Sequence, residues 1–349
     1  MCDFVIQIGL CHQTKTLCMK LLWVFTLILL SSIAHAQNYR EVDSIVAMYP
    51  RSFWSPEKLS HRVNTDFASD SARARAFFFW MTKHVAYDVR KYKLVTSPGY
   101  SRKFRAKTQG IDPAIYLKRT ANIALRKRMG ICGDYAALFQ RLCDLSGLQC
   151  VTISGSAKTK RSEIGKYPSS GNHAWNAVRI GGEYRFIDVT WGAGGVNETT
   201  GKFKFNFNDA YFFTPPDLFF LKHFPHDKGW LFSGQTDSAF TALPLYHTIK
   251  EGVKILSPSG IIDRHGRDAI SFRIRAHDNA IWSYRYSKAK TRFRFKVDHT
   301  IEEGITMFEI PSPLSANDYL TLYRNGLALA TFKVRGGILS RTSFAGGVR

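Results

Sequence analysis

The run Met129-Gly130-Ile131-Cys132-Gly133-Asp134-Tyr135-Ala136 decides how this chain is read. It places a thiol where a helical period begins. Tyr135, Leu138, Leu142 and Leu145 lie three or four apart, which predicts a helix from about Cys132 to Leu145, stopped by Gly147. At a helix start the backbone N–H groups lack partners and the dipole favours an anion, so the position suits a thiolate. The flanking glycines let a substrate backbone come close. A lone cysteine here would read as a buried structural residue. What changes the reading lies downstream, in His173-Ala174-Trp175-Asn176 and Ile187-Asp188-Val189-Thr190-Trp191.

Those two stretches flank Gly181-Gly182, which predicts a hairpin with strands at 173–180 and 184–191. With Ile180 opposite Glu183, His173 would face Thr190, and Asp188 would face Trp175. His173 and Asp188 would then be diagonal neighbours on one face, roughly 7–8 Å apart at the backbone, close enough for their side chains to meet. Trp175 and Thr190 share that face and would shield the pair from water. A one-residue slip of register would separate them. A strand histidine alone reads as structural, whereas a strand aspartate is disfavoured and so more telling. Together the residues supply a nucleophile in Cys132, a base in His173 and a carboxylate in Asp188 to orient the base.

Outward from this pair of motifs, residues 113–129 predict a helix with Pro113 in its first turn and Gly130 at its end. Residues 66–85 predict another, capped by Asp70 or Ser71, with the Phe77–Trp80 aromatic cluster as core. Residues 37–60 read as a short lead-in helix and turn broken by Pro50 and Pro56, and 90–110 as a loop. Cys150–Ser154 reads as a strand, 156–172 and 192–210 as loops. Beyond residue 235 the composition changes. Short alternating segments at Ile270–Arg275, Ile281–Tyr286, Phe293–Val297, Thr306–Ile310, Tyr319–Tyr323 and Ala328–Val334, with an Asn325-Gly326 turn, predict a β-sandwich.

The motifs Gly130-x-Cys132-x-x-Tyr135-Ala136, His173-Ala174-Trp175-Asn176 and Asp188-x-Thr190-Trp191, with upstream Trp80 and Tyr87-Asp88, resemble the transglutaminase-like superfamily, whose core is papain-like. Tyr211-Phe212-Phe213-Thr214 and His223-Phe224-Pro225-His226-Asp227-x-x-Trp230 resemble the branch that holds the kyphoscoliosis peptidases and their bacterial relatives. The resemblance covers about residues 70–235. It implies Cys132 as nucleophile, His173 as general base and acid, and Asp188 as orienting residue, with Trp175, Thr190, Trp191 and Tyr135 in shielding or supporting places. It implies a peptidase, amidase or protein-crosslinking enzyme acting on a protein or peptide without a cofactor. Because the superfamily includes members that lost activity, a silent scaffold is the alternative. Gly133 departs from the acidic residue that many relatives carry.

The whole is expected to be α+β: a papain-like, transglutaminase-like unit at 37–240, a β-sandwich at 245–336 and a tail at 337–349. Residues 1–36 read as a secretory signal peptide. Lys20 precedes the apolar run Leu21–Leu30, and Ala34-His35-Ala36 ends it, with Met19 as a candidate start. An exported protein, periplasmic, envelope-bound or secreted, follows. Three of the six cysteines lie beyond the leader, and Cys143 and Cys150 read either as a disulfide or as small core residues. The chain carries a net charge of +22. Twelve of its Lys and Arg residues fall in 90–128 against one acid, Asp112. That segment would attract an anionic envelope polymer. Nucleic acid is not expected, since no zinc-ligand spacing or RNA-binding aromatic signature accompanies the charge. No metal site is expected. His223 and His226 lack a companion ligand and read as a turn, Gly192–Gly195 lacks the lysine and helix of a phosphate cradle, and Asn197-Glu198-Thr199 fits a glycosylation acceptor.

Overall fold

The computed structural model describes residues 39–336, apart from residues 98 and 100–108 and positions 169–170, 198, 233, 265, 277–278, 291–292, 314 and 316. The expected signal peptide at 1–36 and the tail at 337–349 lie outside the described residues, as does the middle of the basic segment.

The amino-terminal half is built from helices α1 (Tyr39–Ala47), α2 (Pro56–Asp66), α3 (Asp70–His84), α4 (Val89–Val95), α5 (Pro113–Lys127) and α6 (Cys132–Asp144). Pro56 starts α2 instead of breaking the chain, because a first-turn proline loses no helical hydrogen bond. The α3 cap is Ser69, one residue before the expected pair, and its hydroxyl accepts from the Ala72 N–H at 3.2 Å. Residues 89–95, expected as loop, are helical because the Asp88 carboxylate caps the Lys91 N–H at 2.9 Å. In α5, Asp112 accepts from Ala114 and Ile115 at 2.8 and 3.0 Å. The helix ends at left-handed Arg128, short of the expected Gly130. The two residues saved form β2 (Met129–Gly130), which pairs in parallel with β1 (Ala86–Tyr87). Asp134 then closes the start of α6: its carboxylate accepts the Ile131 N–H at 2.8 Å and pairs with Lys91 at 2.6 Å.

An antiparallel sheet follows, made of β3 (Cys150–Ala157), β4 (His173–Ile180), β5 (Glu183–Ile187), β8 (Phe212–Thr214) and β9 (His223–Pro225), in the order β8-β5-β4-β3-β9. Helix α6 lies against it, with the Asn176 amide donating to the Ala136 carbonyl at 3.1 Å. Phe77, Phe78, Trp80, Phe139 and Val178 fill the core between helices and sheet. Ile153, Trp175, Ala177, Phe186 and Phe219 form a second apolar cluster around the same sheet. A small hairpin of β6 (Gly194–Val196) and β7 (Phe203–Phe205) occupies part of the expected 192–210 loop. Cys143 and Cys150 are buried and unbridged, so the core-residue reading describes them and the disulfide reading does not.

The carboxy-terminal part has two sheets. One holds β10 (Leu245–Tyr246), β12 (Ile261–Asp263), β14 (Trp282–Tyr286), β15 (Phe295–Val297), β18 (Asp318–Arg324) and β19 (Leu327–Arg335). The other holds β11 (Lys254–Ser257), β13 (Ala269–Arg275), β16 (Thr300–Glu302) and β17 (Ile305–Pro311). Phe272 of one sheet meets Phe332 of the other, with ring centroids at 5.3 Å, and Trp282 meets Phe308 at 5.5 Å, so the sheets pack face to face. The strands that alternation predicts are all present. Short β10, β11, β12 and β16 have too few residues to show a period and were not foreseen.

Candidate active site

The site lies where the start of α6 meets the ends of β4 and β5. Cys132 is the first residue of α6 and is partly exposed. His173 opens β4 opposite Gly155 and is buried. Its Nε2 donates to Asp188 Oδ2 at 2.7 Å, and the Cys132 sulfur is near enough to act on the charge of the ring. With Nε2 committed to the carboxylate, Nδ1 is the nitrogen left for the thiol. The three residues singled out from the sequence are therefore brought together.

The route by which Asp188 arrives differs from expectation. The β4–β5 register is the expected one from Ile180↔Glu183 to Asn176↔Ile187, and there it stops. Asp188 does not pair with Trp175, nor Thr190 with His173. Instead the chain turns into the short helix α7 (Val189–Ala193), with Asp188 as its cap: Oδ1 accepts the Trp191 N–H at 3.0 Å. Aspartate is a poor strand residue and a good cap, so the same side chain ends the strand and starts the helix. Its position beyond the strand keeps it close to His173 without a ladder partner. Thr190 is buried and Trp191 lies over His173, ring centroids 4.9 Å apart and planes 24° from parallel. Trp175 sits 6.0 Å from the His173 ring, buried behind it. Tyr135 is buried in the main core, where its hydroxyl donates to the Val85 carbonyl and anchors α6.

His223 is the residue that the sequence reading missed. It reaches the site on β9, at the far side of β3, and its Nε2 lies 3.0 Å from the same Asp188 Oδ2 that His173 uses. Its tandem spacing with His226 drew attention to a turn, yet the two histidines part. His226 accepts the Gly171 N–H at 2.7 Å instead. The only sequence signal was the aromatic-rich stretch from Tyr211 to Trp230 in which His223 stands. Asp188 thus receives three donors while wholly buried, two imidazoles and one backbone N–H.

The electrostatics follow from this wiring. Burial opposes a charged His173, but the Asp188 carboxylate, by charge and hydrogen bond, and the Cys132 sulfur override it and raise its pKa to about 10. Burial likewise opposes a charged Asp188, and His173 and His223 hold its carboxyl well below the usual range. Burial dominates at His223, lowering its pKa to about 4 against the pull of Asp188, so this ring is the neutral donor of the two. The Lys222 ammonium rests 4.3 Å from the centroid of the Trp191 ring, backing the tryptophan that covers His173.

His173, Asp188 and His223 present ligand-type atoms within 4.8 Å of one another. Two of those contacts are the imidazole–carboxylate hydrogen bonds to Asp188 already described. In front of His173 opens a hollow of about 450 Å³, walled by Tyr87, Tyr92, Thr190, Trp191 and Phe203, with exposed Lys93 at its lip. The expected basic segment contributes here through α4, which carries Lys91 and Lys93 beside the site.

Residues 57–190 match the family model of the transglutaminase-like superfamily, and the superfamily resemblance drawn from Cys132, His173 and Asp188 holds for that part of the chain. Among individual proteins, the chain is 37% identical to the kyphoscoliosis peptidase of Mus musculus over 163 residues, 46% of this chain and 22% of that protein. It is 26% identical to the Lim and transglutaminase domain protein ltd-1 of Caenorhabditis elegans over 230 residues, 57% of this chain and 31% of that protein. The chain thus spans less than a third of either relative's length. An arylamine N-acetyltransferase structure from Salmonella typhimurium aligns at 10% identity over 85% of both chains, with a TM-score of 0.26.

Proposed function

We propose that the protein transfers the acyl group of a protein or peptide amide through a thioester on Cys132, to water or to an amine. The observation that carries this reading is the His173–Asp188 hydrogen bond, buried beside Cys132 and next to an open hollow. His173 already holds on Nδ1 the proton given up by the thiol, as an imidazolium beside the thiolate, and the thiolate attacks the amide carbon. The tetrahedral intermediate collapses as the imidazolium gives its proton to the leaving amine. His173, neutral again, then activates water, which releases an acid, or an amine, which forms a new amide. Asp188 keeps the ring in one tautomer and stabilises its charged form. Trp191 and Trp175 restrict water around the pair. Export to a cell envelope, and attraction of an anionic polymer by the basic segment, are proposed from the leader sequence and the charge alone.

Incubation with casein and a fluorescent primary amine tests the reaction. The account expects either new amino termini without dye, which marks hydrolysis, or dye incorporation, which marks transfer. Both should be lost in Cys132→Ala and His173→Ala. Equal turnover by Cys132→Ala would contradict the reading.

A further inference from the structure

An amide carbonyl attacked by Cys132 places negative charge on its oxygen, and a thiol enzyme needs donors aimed at that charge. One is supplied by the backbone: the Cys132 N–H is in the first turn of α6, where no helical acceptor exists for it. A second donor is not apparent in the motifs. We infer that the Tyr87 hydroxyl is this second oxyanion donor, an assignment that rests on the proposed acyl chemistry.

The placement comes from the shortest strand pair in the fold. Tyr87 is level with Gly130 in the parallel β1–β2 pair, and the Asp88 N–H donates to the Gly130 carbonyl at 2.9 Å. That pairing fixes Tyr87 against the chain two residues before Cys132. Tyr87 lines the hollow that His173, Thr190 and Trp191 also line, which puts it on the side of His173 open to a ligand. Its ring lies 6.0 Å from Tyr92 and 6.4 Å from Phe203, which limits where the hydroxyl can swing. Among the described residues that hydroxyl has no hydrogen-bond partner, in contrast to the neighbouring tyrosines: Tyr135 donates to Val85, and Tyr211 accepts from Lys222. Burial, and then the nearby Cys132 sulfur, hold the phenol in its protonated form, so it is a donor at neutral pH. Tyr116 is exposed on α5 and does not wall the hollow, which makes it the natural control.

The step is a hydrogen bond, not a proton transfer. Sγ forms a bond to the carbonyl carbon, and the C=O electron pair moves to oxygen. The Cys132 N–H and Tyr87 O–H donate to that oxygen. Collapse restores the carbonyl and expels the leaving group.

Two reagents separate this role from others. p-Nitrophenyl acetate acylates a thiolate through a tetrahedral oxyanion and expels p-nitrophenolate. Iodoacetamide alkylates the same sulfur by displacement of iodide, with no oxyanion. Rates at Cys132 are read by mass spectrometry in the wild type, Tyr87→Phe and Tyr116→Phe. The inference expects Tyr87→Phe to slow acylation about a hundredfold, with alkylation unchanged and Tyr116→Phe close to wild type in both. Acylation of Tyr87→Phe at the wild-type rate overturns it, as does an equal slowing of both reactions, which would mean that the ring acts on the sulfur or the fold. Failure of the wild type to acylate at Cys132 while it still alkylates would remove the proposed acyl chemistry, and the inference with it.

Discussion

At the scale of single residues the site is organised around Asp188, more than around the thiol. A carboxylate with no exposed surface is costly unless each lone pair finds a donor. Here the Trp191 N–H satisfies Oδ1, and His173 and His223 satisfy Oδ2. The charge so retained is what holds a proton on His173. Asp188→Asn preserves size but removes that charge, and an amide nitrogen turned toward His173 favours the wrong tautomer. Casein turnover in this variant should fall about 10⁴-fold, with the fold kept, as near-ultraviolet circular dichroism can check. Turnover within tenfold of wild type would mean that His173 needs no orienting carboxylate. Cys132, His173 and Asp188 were legible in sequence because each stands in its own short motif. His223 was not, because nothing local distinguishes it from a turn histidine. Its role exists only once β9 is paired to β3.

At the scale of elements, three junctions make the site: the helix start at Cys132, the strand-to-helix switch at Asp188, and the β3–β9 edge that delivers His223. The hairpin register followed from Gly181-Gly182 and the alternation of β4, both local signals. The switch into α7 was hidden because Val189-Thr190-Trp191 has strand composition, and the cap that overrides it is a tertiary arrangement. β1 and β2 have two residues each, too few for any period, and they pair across the whole of α4 and α5. Gly155 is what lets β9 close on β3. A Cβ there would run into the Phe224 carbonyl oxygen and the Trp175 ring, and come within 2.9 Å of the Pro225 Cα. Gly155→Ala must therefore push β9, and His223 with it, away from Asp188. Urea unfolding should show a loss of about 1–3 kcal/mol. A midpoint equal to that of the wild type would show that this edge can yield without cost.

At the scale of the whole molecule, two cores stand side by side, one under the site and one within the face-to-face sheets. They are tied by Lys158. It is buried at the end of β3, and its ammonium donates to the Phe240 and Leu243 carbonyls, at 2.8 and 2.7 Å, in the segment that leads into the second part. The α+β class and the β-sandwich were readable because alternating strands such as β13, β17 and β18 bury every second side chain. Which short strands would finish the sheets was not, since an edge of two to four residues is chosen by what is left unpaired and not by its own sequence.

The central claim is that buried Asp188 keeps His173 charged beside Cys132, and it is tested most directly by titrating the His173 ring nitrogens by ¹⁵N NMR. With its pKa raised from 6.5 to about 10, His173 stabilises the fold fully below pH 6.5 and loses that contribution as pH rises through about 10. The depressed pKa of Asp188 makes its share present above about pH 4 and lost in acid. The account predicts a doubly protonated His173 ring at pH 8, titrating near 10 in the wild type and much lower in Asp188→Asn. A ring already neutral at pH 8 in the wild type would contradict it.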